Sequence, residues 1–118
     1  MINQQQWIRI TRVENIPARE ARAVQIGGLS VAIVNMGGQF RALENRCPHG
    51  QGPLADGIVG SNFVTCPLHS WRISVETGCV IKPTGASAPC VRTFPVKVEN
   101  GVVMLDLAET RQEAPVAA

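Results

Sequence analysis

An antiparallel all-β sandwich or barrel is the fold class this sequence predicts. Two observations carry it: short runs rich in β-branched and aliphatic residues, and glycine-bearing turns recurring about every ten residues.

Residues 7–13 form the first such run and read as an edge-like strand, which Asn15-Ile16-Pro17 interrupts. From Ala21 the set Ala21, Ala23, Gln25 alternates with Arg22, Val24, Ile26, the period of a strand, and Gly27-Gly28 closes it as a two-residue hairpin turn. Residues 29–34 return. Asn35-Met36-Gly37-Gly38 turns the chain again into residues 39–43. Further on, Asp56-Gly57 and Gly60-Ser61-Asn62 flank a short Ile58-Val59, residues 63–65 read as a strand, and residues 71–75 alternate Trp, Ile and Val against Arg and Ser as a half-buried one. Glu76-Thr77-Gly78 is a turn, and residues 83–89 are a loop carrying two prolines. Residues 91–98 and 102–107 form a last hairpin through Glu99-Asn100-Gly101, the strongest turn signal in the chain. Residues 1–108 therefore make one domain, with 109–118 a frayed tail that has little to bury.

The 118 residues suffice for one core without disulfides. Hydrophobic residues are 45% and charged residues 17%, as in ordinary globular chains. The net charge of +2 is scattered and aromatics are 4%, so no basic stripe with stacking residues marks a nucleic-acid binder. The polar start, Met1-Ile2-Asn3-Gln4, has neither a charged nor an apolar signal region, and no apolar run approaches the ~20 residues of a membrane span. A cytoplasmic setting without membrane contact is expected.

The stretch with chemistry runs from Cys47-Pro48-His49-Gly50 to Cys66-Pro67-Leu68-His69-Ser70-Trp71. A lone buried Cys is commonly a small hydrophobe, and a lone His is more often a satisfied side chain than a ligand. Here both histidines of the chain stand in paired spacing with a cysteine. A finger-type zinc site groups two Cys in one segment and two His in the other. In this chain each segment is mixed, as required by a [2Fe–2S] cluster with thiolates on one iron and imidazoles on the other.

Cys47-x-His49 with Cys66-x-x-His69 resembles the Rieske [2Fe–2S] motif. Gly52-Pro53-Leu54, Asp56-Gly57, Cys66-Pro67-Leu68-His69 and Glu76-Thr77-Gly78 extend the resemblance. It implies a Rieske-type antiparallel β-sandwich or barrel with a smaller cluster-binding subdomain, about residues 44–80, that holds the two ligand loops. Cys47 and Cys66 would bind the inner iron, and His49 and His69 the outer one. The imidazole edges would form a docking face, with Gly50, Gln51, Gly52 and Ser70 lining the contact with a partner.

In this family, high-potential members bridge the two loops with a disulfide and donate Ser and Tyr hydroxyls to the cluster. This chain has Gly52 and Leu68 near the bridging places and no Tyr. A low-potential centre is expected, near the bottom of the range of roughly −150 to +300 mV. Cys79 and Cys90 are expected as reduced packing residues, with a disulfide between them as the lesser alternative. Trp71 is expected in the core rather than as an electron conduit. The loop at 83–89 either shields the cluster, as in the family, or is a surface connection.

The resemblance implies one-electron transfer and no substrate turnover by this chain alone. The run from Cys66 through Ser74, with Trp71 two residues after His69, and the later Cys90-Val91-Arg92-Thr93-Phe94-Pro95 look most like the small subunit of assimilatory NAD(P)H-dependent nitrite reductase. Its partner would be a large subunit holding flavin and sirohaem. The alternative is a free-standing Rieske ferredoxin, passing electrons from a reductase to an aromatic-ring-hydroxylating dioxygenase.

Overall fold

The computed structural model describes residues 7–48, 50, 52–68, 70–85 and 90–107. They form three antiparallel sheets, and no α-helix occurs among them. No helix of the described residues is long and apolar enough to cross a membrane.

The strands are β1 (Trp7–Arg12), β2 (Ala21–Ile26), β3 (Leu29–Asn35), β4 (Phe40–Glu44), β5 (Ile58–Val59), β6 (Phe63–Thr65), β7 (Arg72–Ser74), β8 (Val80–Lys82), β9 (Thr93–Phe94), β10 (Val96–Glu99) and β11 (Val102–Asp106). Two sheets, ordered β1-β11-β10 and β2-β3-β4-β9, build the sandwich, and a third, β5-β6-β7-β8, builds the smaller end. The expected edge strand β1 does lie at a sheet edge.

Turn chemistry sets the registers. Gly27-Gly28 leaves Ile26 paired with Leu29, with Gly27 at φ +62°. Asn100 and Gly101 both take positive φ, the conformation that a two-residue hairpin between Glu99 and Val102 demands. Between β3 and β4 the Asn35 side chain accepts the N–H groups of Gly37 and Gly38 at 2.9 and 2.8 Å, while its amide donates to the Ile16 carbonyl at 2.7 Å.

β3 is the wall between two cores. Because successive side chains of a strand point to opposite faces, Val31 and Ile33 join Ile16, Ala42, Phe94, Val103 and Leu105 inside the sandwich. Ala32 and Val34 face the other way, into a second cluster with Leu43, Leu54, Val64, Ile73, Val75, Val91, Cys47 and Cys66. The sandwich thus carries the smaller end on the back of one strand.

Two expectations need correction, and one strand was not foreseen. The run at 91–98 is two strands: Pro95, which has no N–H to give a ladder, separates β9 in one sheet from β10 in the other. β8 was not expected, and it completes the third sheet against β7. Cys79 and Cys90 are not separate packing residues but a disulfide, with Cα atoms 4.2 Å apart. The Val91 N–H donates to the Gly78 carbonyl at 2.9 Å, which brings the flanking cysteines side by side. The expected tail, 109–118, lies outside the described residues.

Candidate metal centre

Each cysteine of the motif leaves the end of a strand. Cys47 follows β4 by three residues and is fully buried; Cys66 follows β6 directly and is 1% exposed. Both sulfur-bearing side chains enter the same apolar cluster, so two loops far apart in sequence meet at one place. His49 and His69 lie outside the described residues, as does Gln51.

The first loop is clasped by Asn45. Its backbone N–H donates to the Ser30 carbonyl at 2.9 Å and its side-chain amide to the Ser30 hydroxyl at 3.1 Å, fixing the loop's entry to β3. Its side-chain oxygen accepts the Ala55 N–H at 2.7 Å, fixing the exit. Between them the Cys47 N–H donates to the Gly52 carbonyl at 2.8 Å. Leu54, fully buried in a 3₁₀ turn over Leu54–Asp56, anchors the far side.

The second loop closes on itself. The Cys66 N–H donates to the Trp71 carbonyl at 2.7 Å and the Ser70 N–H to the Cys66 carbonyl at 3.0 Å. Ser70 takes φ +61°, a conformation costly for a side-chain-bearing residue and tolerated where the surroundings dictate it. The Leu68 N–H points at the Cys66 sulfur, 3.5 Å away, where an amide donor would steady a thiolate. Trp71, expected in the core, is partly buried and packs against the apolar cluster from its edge.

Behind both loops stands Glu44, whose side chain is only 10% exposed. One carboxylate oxygen accepts the Arg92 N–H at 2.8 Å, the other pairs with the Arg92 guanidinium at 3.1 Å, and Arg46 approaches at 3.4 Å. Burial pushes Glu44 up, but the hydrogen bonds from Arg92 and the two positive charges outweigh it, so the carboxyl sits below its ordinary value. Glu44 thereby ties the entry of the first loop to the segment that follows the Cys79–Cys90 disulfide. Sequence reading missed both Glu44 and Asn45. Their only signal was position, immediately before the first ligand segment.

One expected contact residue is misplaced. Gly52 is buried rather than on the docking face, while Gly50 and Ser70 are exposed. A Cβ on Gly52 would come within 2.9 Å of the Leu68 side chain and 3.0 Å of the Cys66 sulfur, so the two loops touch there and a larger residue would have to displace Leu68.

The donor set therefore fits a thiolate-bound cluster: two buried cysteines in two mutually packed loops, with an N–H aimed at one sulfur. Comparison with known proteins agrees. The model of the Rieske [2Fe-2S] domain matches residues 6–95. The chain is similar to the ferredoxin component of the naphthalene 1,2-dioxygenase/salicylate 5-hydroxylase systems of Ralstonia sp, with 33% identity over 87% of this chain and 97% of that one. Among solved structures, a chain from the complex of reduced oxygenase and oxidised ferredoxin in carbazole 1,9a-dioxygenase superposes with a TM-score of 0.72 and 29% identity, covering 87% of this chain and 94% of the other. A Mycobacterium tuberculosis chain assigned as an NADH-dependent nitrite reductase small subunit gives a TM-score of 0.77 over 92% of this chain and 100% of the other; at 19% identity this likeness is one of fold.

Proposed function

The chain belongs to the Rieske [2Fe-2S] domain family, and on that footing we propose that it is a ferredoxin that passes single electrons from a reductase to an aromatic-ring-hydroxylating dioxygenase. The Rieske [2Fe–2S] cluster is its cofactor and electron transfer its chemistry. The partner is the proposed part.

The observation that carries the partner reading is near full-length similarity, at 33% identity, to the ferredoxin component of a dioxygenase system. The nitrite reductase reading, favoured in the sequence by the run around Trp71, has the support of fold likeness alone. The ferredoxin reading, which stood second on sequence grounds, therefore takes first place.

In this reading Cys47 and Cys66 hold one iron and His49 and His69 the other. The bound cluster supplies a one-electron acceptor that exchanges electrons without breaking bonds. Burial of both cysteines keeps water from the thiolates, and Asn45 and Glu44 hold the first loop in place. The second loop is held by its own backbone bonds. Gly50 and Ser70, which follow His49 and His69 in the chain, are exposed, and in this reading they line the contact with the partner. A low potential and a cytoplasmic setting belong to the same proposal.

Mixing the reduced protein with the oxygenase component of an aromatic-ring dioxygenase, and separately with a sirohaem nitrite reductase large subunit, tests it. Rapid oxidation by the oxygenase component supports the ferredoxin reading. Oxidation by the nitrite reductase subunit alone contradicts it.

A further inference from the structure

Leu68 is, after Ile58, the most exposed large apolar side chain described at the metal-bearing end. It is 53% exposed, yet neighbouring Cys66 is only 1% exposed. Its side chain reaches across to the first loop. A Cβ on Gly52 would meet Leu68 Cγ and Cδ1 at 2.9 Å, and one on Gly50 would meet Cδ1 at 3.9 Å. The Cys66 sulfur lies 3.0 Å from the same point above Gly52. Leu68 therefore straddles the two glycines on either side of Gln51, its tip converging with the Cys66 sulfur on the Gly52 backbone. From its other end its N–H points at that sulfur.

We propose that Leu68 is a positioning residue that latches the second ligand loop onto the first and seals the Cys66 sulfur from water. The inference rests on the cluster reading given above. An apolar side chain that stays half in solvent gains little from burial, so its conformation is explained by the loops it joins rather than by a core it fills. The glycine at 52 makes room for it, while at 50 the contact is an ordinary one. The consequence is electrostatic. The reduced cluster is the more negative state, and water admitted to a ligating sulfur stabilises it, raising the potential. Removing the seal therefore makes the centre easier to reduce and lets solvent and chelator reach the metal.

The test uses the full-length, cluster-loaded protein. Leu68→Ala, Leu68→Met and Gly52→Ala are compared with the parent by potentiometric titration and by the rate of iron loss to a strong chelator, with far-ultraviolet circular dichroism as the check on folding. Leu68→Ala is expected to raise the midpoint potential and to speed iron loss several-fold with the β-sheet spectrum unchanged, while Leu68→Met, which can span the same gap, restores both. Gly52→Ala is expected to lose iron faster alone, and by less in the Leu68→Ala background, because the two side chains compete for one space. A Leu68→Ala protein matching the parent in potential and iron loss overturns the latch, as does a Met variant that behaves like Ala. A parent protein that binds no iron and sulfide overturns the cluster reading and the latch together.

Discussion

The sandwich around Ile33 and the loops around Cys47 and Cys66 are stabilised in different ways. In the sandwich, strands of five to seven residues such as β2, β3 and β4 pair along their length, and Ile16, Val31, Ile33, Val103 and Leu105 are fully buried. At the metal-bearing end the strands are two or three residues long. There, hydrogen bonds accepted by the Asn45 and Glu44 side chains, one disulfide and close glycine contacts do what long ladders do elsewhere. Non-directional burial can build a rigid base, but a metal site needs its ligands held at set positions, which directional bonds supply. The base should therefore survive changes that empty the site, and the site should respond to changes that the base ignores.

The largest expected contrast comes from Cys66→Ser. It should abolish cluster binding, read as loss of iron, sulfide and the reduced-state electron paramagnetic resonance signal, while circular dichroism retains the sheet spectrum. Ile33→Ala should do the reverse, costing about 2–5 kcal/mol of stability in denaturant titration, with the cluster signal of the folded fraction unchanged. Replacing Cys79 and Cys90 together by Ser should cost up to about 3 kcal/mol, the chain-entropy value for so short a loop. The fold should remain, because the Val91–Gly78 and Arg92–Glu44 bonds hold the same segment. Asn45→Ala should cost about 1 kcal/mol and act on the first loop, read as faster amide exchange at Ala55.

The smallest effect is the pH dependence of Glu44. Its carboxyl is lowered in the folded protein, so the stability from its pairing is present above the unfolded-state pKa and is lost as pH falls through the folded value. Glu44→Gln should flatten the acid limb of the stability curve. An unchanged limb would remove Glu44 from the account.

The same division governs what the sequence disclosed. Glycine turns and period-two alternation are local, so the strands of the sandwich and most turns were legible, as was the paired Cys and His spacing. Pro95 was read through as strand because a corner between sheets is defined by which partner each half finds, a tertiary fact. Val80–Lys82 is too short to show a period, and only its pairing with β7 makes it a strand. Cys79 and Cys90 stand eleven residues apart, and their bridging depends on Gly78, whose positive φ and tight approach to the Val91 carbonyl bring the two segments together. Gly52 is expected on the docking face because the resemblance puts the imidazole edges there and Gly52 closely follows His49. Its burial under Leu68 is a contact between loops and leaves no mark in either loop alone.

The central claim is that two loops each supply one cysteine and one histidine to a [2Fe–2S] cluster. Low-temperature electron paramagnetic resonance on the dithionite-reduced protein, purified without oxygen and assayed for iron and sulfide, tests it most directly. The account predicts about two irons per chain and the rhombic signal of a reduced centre with histidine on one iron and cysteine on the other. A silent sample containing zinc in place of iron would contradict it.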